Sequence, residues 1–142
     1  MTERRNGDLT VAWRGGDRFD VRIRRHVVRV DQLRDFGGSD TGPTPAELFV
    51  GGVAAYAAHC AERYLRRYQL PAGVTVTAHY ELGPGPARLR RIDLALRATD
   101  LPRGLRDSLA AAVRHGLACD APSAWPQVTL RVLTADDAPL PG

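Results

Sequence analysis

Two cysteines, Cys60 and Cys119, are the side chains with the widest chemical range in this 142-residue chain. A thiolate attacks electrophiles and binds metals, and it forms where a helix N-terminus or nearby cations lower the thiol pKa from about 8.5. His59 directly precedes Cys60, Arg63 follows it at i+3, and His115 stands four residues before Cys119. Tyr56 and Tyr64 flank Cys60 at i−4 and i+4, so a helix would pack the thiol between two rings. Two readings of Cys60 stand: a nucleophile aided by His59, Arg63 or a more distant arginine, or a buried thiol acting as a small apolar group. Tyr56 is open in the same way, as a phenol beside a bound carbonyl or as a space-filling ring. A metal site built from His59, Cys60, His115 and Cys119 is disfavoured. Adjacent helical positions point about 100° apart, and the chain has neither CxxC nor HxxxH.

These residues need a scaffold, and the strongest local signal is a helix start. Thr44 can cap, Pro45 suits the first helical position, and Glu47 completes a capping box three residues after Thr44. From Leu48 to Ala58 no residue is charged, which predicts a central helix buried on more than one face. Its length is about five to seven turns at 1.5 Å per residue. It is too short and glycine-rich for a membrane span, and Arg63, Arg66 and Arg67 mark its solvated end.

Before that helix, Leu9–Trp13, Phe19–Arg24 and His26–Val30 read as strands, the first two joined by the turn Arg14-Gly15-Gly16-Asp17. A loop from Leu33 to Gly42 carries Gly37-Gly38-Ser39-Asp40. After the helix, Val74–Tyr80 and Leu89–Leu96 alternate as strands around the turn Gly83-Pro84-Gly85-Pro86. A second helix is expected from Arg103 to about His115, ended by Gly116. Val128–Leu133 reads as a last strand, and the tail 134–142 is expected to be loose. The order βββ-α-ββ-α-β gives an α+β fold in one domain spanning 1–142, with its core at about 9–133.

Composition narrows the function. The hydrophobic fraction of 44% and charged fraction of 25% are those of a globular protein. All twenty basic residues are arginine, so lysine Schiff-base chemistry is excluded. The net charge of +4 is spread along the chain, whereas nucleic-acid binding wants a clustered stripe with stacking aromatics. No nucleic-acid or membrane partner and no cofactor is expected. The polar start Met1–Asp8 has no signal-peptide pattern, which makes the cytoplasm the default expectation.

The run Gly42-Pro43-Thr44-Pro45-Ala46-Glu47-Leu48-Phe49, followed by small residues and preceded by the Gly37-Gly38 loop, resembles the OsmC/Ohr family of osmotically inducible and organic hydroperoxide resistance proteins. The resemblance spans roughly residues 10 to 133 and implies the OsmC-like fold. That fold is a mostly antiparallel sheet wrapped around a long buried central helix, with a second shorter helix, in an intertwined homodimer with interface pockets. The family's peroxidatic cysteine falls at Tyr56, eight residues after Leu48, and its second cysteine best matches Gly116. The acidic helper of the hydroperoxide-resistance branch falls at Ala46, and Glu47 matches the other branch. The family's arginine comes from the N-terminal region, where Arg14, Arg18, Arg22, Arg24, Arg25 and Arg34 compete.

Two functions follow. One is an OsmC-like protein with a rebuilt site, binding or transforming a small organic molecule in an apolar interface pocket around Tyr56 and Cys60. Glu47, His59, Arg63 and His115 are its candidate binding residues. The alternative is a thiol peroxidase that reduces organic hydroperoxides in oxidative-stress defence, with Cys60 attacking the O–O bond and Cys119 resolving.

Overall fold

The computed structural model describes residues 6–84, 88–119, 129–133 and 135. Three N-terminal strands, β1 (Thr10–Trp13), β2 (Phe19–Ile23) and β3 (His26–Val30), form an antiparallel sheet in the order β1-β2-β3. The first turn uses its glycines as expected, with Gly15 at φ 107 and Gly16 at φ 57, where a side chain would be strained. Between β2 and β3 no glycine is available, and Arg24 takes the left-handed value of φ 54 instead. Register places Val11 opposite Val21 and Val21 opposite Val28, with Trp13, Phe19 and Val30 aligned beside them. One face of this sheet is therefore apolar. The other carries Asp20, Arg22 and Arg29.

A single 3-10 turn at Arg34–Phe36 and a tight loop lead to the long helix α1 (Pro45–Arg67). Asp31, fully buried, holds that loop. Its carboxylate accepts from the Thr41 hydroxyl (2.7 Å) and from the N–H groups of Gln32 (2.7 Å), Thr41 (3.0 Å) and Ser39 (3.3 Å). These bonds, led by the Thr41 hydroxyl, lower the Asp31 pKa from 3.8 to about 2 against the opposing pull of burial. The loop folds back so closely that a Cβ at Gly38 would collide with the Gln32 carbonyl, and one at Gly42 with that of Arg29 in β3.

The helix starts as its sequence dictates. The Thr44 hydroxyl accepts from the Glu47 N–H at 3.1 Å, and the Glu47 carboxylate accepts from the Thr44 N–H at 2.9 Å. Strands β4 (Val74–Leu82) and β5 (Leu89–Ala98) form a separate antiparallel pair. From Val74 to Tyr80 and from Ile92 to Ala98 the even-numbered residues face the helices and the odd ones solvent, as a half-buried strand requires. The second helix, α2, runs from Arg106 to Cys119, after a 3-10 turn at Arg103–Leu105. Gly116 does not end it. It is buried within the helix and lines the cleft between α2 and α1.

The core is built from α1, α2, β4 and β5: Ala57, Cys60, Ala61, Tyr64 and Leu65 pack on Leu109 and Val113, with Val76, Leu94 and Leu96 beneath. No residue of β1, β2 or β3 belongs to it. The charge-free run of α1 is accordingly not buried all round. One side is covered, while Leu48, Phe49 and Tyr56 remain exposed. The expected last strand is also absent among the described residues. Positions 129–133 pair with nothing described, and Leu130 is 87% exposed. A strand without a neighbour has no ladder to hold it. Val128, most of the 134–142 tail and residues 85 and 86 of the Gly83–Pro86 turn lie outside the described residues. No described helix is long and apolar enough to cross a membrane.

Candidate functional site

Cys60 sits in the second half of α1, well beyond the first turn where the helix dipole acts. It is buried and carries a free thiol. What reaches it is a cation: Arg63, one turn on, donates from Nη2 to Sγ at 3.5 Å. The next turn brings Tyr64, also buried, whose hydroxyl donates to Ser108 Oγ of α2 at 2.8 Å. Tyr68 follows with its ring centroid 4.8 Å from that of Tyr64, and the Arg67 guanidinium lies 5.8 Å from the Tyr68 centroid.

These side chains line one cleft of about 460 Å³ between α1 and α2. Cys60, Arg63, Tyr64 and Tyr68 form one wall, and Ser108 and His115 stand on the other. Late residues of α1 meet early residues of α2 (Tyr64 with Ser108), while Cys60 shares the cleft with His115 and Gly116. The two helices therefore run antiparallel. The cleft combines a thiol, an imidazole, two guanidiniums and two phenol rings. Such a set can hold an anionic head against the arginines and lay an apolar or aromatic body along the tyrosines.

Of the residues singled out in the sequence, the fold brings Cys60, Arg63 and His115 together. Tyr56 is elsewhere; it is 44% exposed on α1 and does not line this cleft. His59 is exposed and likewise outside it. The Glu47 carboxylate is engaged in the helix cap, at the far end of α1. Ala46 is at that same end, partly buried. Cys119 is the last residue of α2, and its side chain lies outside what is described. No group of three metal-ligating side chains occurs among the described residues. Of the candidate N-terminal arginines, Arg14 is spent on Asp20, with Nε 3.2 Å from Oδ2.

From the sequence, Tyr64 reads only as packing and Arg67 only as part of the helix's solvated end, while Ser108 and Tyr68 carry no expectation. The stripe Cys60–Arg63–Tyr64–Arg67–Tyr68 on one face of α1 was a usable signal. Ser108 had none, because its role depends on which helix lies opposite.

No protein-family model matches the chain, and no curated protein matches it. Among solved structures it is similar to a protein from Psychrobacter arcticus 273-4 described as an osmotic stress induced and detoxification response protein. Identity is 17% and the TM-score 0.72, over 89% of this chain and 93% of that one. It is also similar to an organic hydroperoxide resistance protein OsmC from Legionella pneumophila, with 20% identity and a TM-score of 0.57 over 79% and 85% of the two chains. The organic hydroperoxide resistance protein OhrB of Bacillus subtilis gives 18% and 0.56 over 77% and 84%. At such identities the likeness is one of architecture, and it agrees with the two helices and antiparallel sheets described above. This chain has the fold of the OsmC and organic hydroperoxide resistance proteins.

Proposed function

We propose that this protein binds a small organic molecule, an anion with an aromatic or apolar body, in the cleft beside Cys60, as a rebuilt form of the OsmC/Ohr scaffold. The observation that carries this reading is the lining of that cleft, a single described thiol among Arg63, Arg67, Tyr64, Tyr68 and His115. The positions that the resemblance assigns to the two family cysteines hold Tyr56 and Gly116, and Tyr56 is outside the cleft.

The second reading, reduction of organic hydroperoxides by Cys60 with Cys119 resolving, is favoured by one contact. Arg63 Nη2 stands 3.5 Å from Cys60 Sγ, a cation placed where a thiolate needs one. The names of the structural neighbours point the same way. Helix geometry weighs against the pair. With Tyr64 level with Ser108 and the helices antiparallel, Cys60 and Cys119 are staggered by about 10 Å along the axes at 1.5 Å per residue. A disulfide needs Cα atoms within about 4.4–6.8 Å.

Exposure of the protein to cumene hydroperoxide, followed by intact mass, separates the two. The binding reading expects both thiols to persist in excess peroxide. Rapid disulfide formation that disappears in Cys60→Ser would establish the peroxidase and end the first reading.

The working unit we propose is a homodimer. Val11 is 55% and Trp13 66% exposed on the apolar face of the N-terminal sheet. This face meets the start of α1 only around an open, almost wholly apolar cleft of about 480 Å³ lined by Val11, Phe19, Val21, Val30, Leu48 and Phe49. Gly51 and Gly52 lie inside α1 with nothing within 4 Å of where a Cβ would stand. Glycine inside a helix costs about 1 kcal/mol relative to alanine. A second copy packed closely against this side would cover the apolar surface and account for both glycines.

A further inference from the structure

A second cleft flanks α2 on the side away from Cys60. Its floor is the helix-facing surface of the β4–β5 pair, with Val76, Ile92, Leu94 and Leu96, and its wall is Leu109, Val113 and Leu117. Its volume is about 440 Å³, within the roughly 300–1,000 Å³ typical of small-ligand sites. Two charged side chains line it, Arg106 and Arg114, and no carboxylate does. Eight residues separate them on one helix, so they stand about 12 Å apart along its axis at 1.5 Å per residue. Between them, at i+4 from Arg106, is Ala110, small enough to leave the mouth open. Neither arginine has a hydrogen-bond or ion-pair partner among the described residues.

We propose that this α2–β5 cleft binds a free single-chain anionic amphiphile, of which a fatty carboxylate is the simplest case. An apolar chain laid over Ile92, Leu94 and Leu96 would leave contact with water, the main favourable contribution to such binding. The head would accept charge-assisted hydrogen bonds from Arg106 or Arg114. Guanidiniums at both ends allow either orientation of the chain. A cationic amphiphile gains the same apolar contact and meets like charge at each end.

The test is titration calorimetry of the full chain with laurate below its micelle concentration, with dodecyltrimethylammonium as the charge control. The expected result is one laurate per chain with a dissociation constant of roughly 10–100 µM. Little or no binding of the cation is expected. Arg106→Gln/Arg114→Gln, at exposed positions, should weaken laurate by about tenfold or more, the scale of losing a hydrogen bond to a charged group. Arg67→Gln, in the other cleft, should leave it unchanged. Absence of laurate binding at millimolar concentration overturns the proposal, as do equal binding of anion and cation and an unaffected double variant. Loss in Arg67→Gln instead would place laurate beside Cys60 and overturn it too. Co-sedimentation with phosphatidylglycerol vesicles without laurate binding would assign the arginines to a lipid surface and reject the cleft.

Discussion

The two halves of this chain treat apolar surface differently. In the half built from α1, α2, β4 and β5, one side of α1 packs against α2 and the inward face of the β4–β5 pair. Leu65 is 2% exposed, and Ala61 is buried completely. In the N-terminal sheet the register is just as regular and the inward face just as apolar. Yet Val11 and Trp13 stay more than half exposed, and although Val21 and Val30 are buried, no residue of the three strands joins the main cluster. Local pattern is thus equally good in both regions, and only the presence of a facing element separates them. A β-sheet with one apolar face is stable when that face is buried, so the N-terminal sheet is where a partner would contribute most.

That contrast can be broken at several points. The largest stability effect is expected in the packed half, where Leu65→Ala should cost about 2–5 kcal/mol in urea unfolding by leaving a cavity. A loss below about 1 kcal/mol would mean that the core is not where the packing places it. In the uncovered half, Val11→Asp distinguishes a lone chain from a dimer. At 55% exposure it should shift the stability of an isolated chain by no more than about 0.5 kcal/mol. If a second copy covers the face, light scattering should instead show the mass falling by half.

The joint between the halves is Asp31, and its prediction concerns pH. Its folded pKa of about 2 lies below the ordinary 3.8, so its contribution is present in full above 3.8 and lost as pH falls towards 2. Acid titration of stability should steepen within that window, and Asp31→Asn should remove the steepening while lowering stability at neutral pH. An unchanged acid profile in Asp31→Asn would show that this carboxylate does not hold the loop. At the cap the effect is modest: Thr44→Ala should cost about 1 kcal/mol, through loss of the bond from the Glu47 N–H.

Much of this molecule was legible in its sequence. The start of α1 follows from Thr44, Pro45 and Glu47 alone, because capping is settled within four residues. β3 is also legible, as is the pairing of β4 with β5, because alternation and turn glycines are local signals. The OsmC-like fold was readable from the Gly42–Phe49 run. Tertiary structure decided what depends on opposition across space. It set Cys60 against His115 and Gly116, joined Tyr64 to Ser108, and left Tyr56 outside the cleft. It carried α2 past Gly116, and among the described residues no strand pairs with 129–133. A helix stripe lists the residues that can line a site, but the facing element selects among them. That choice lies in long-range packing, which no window of the sequence contains.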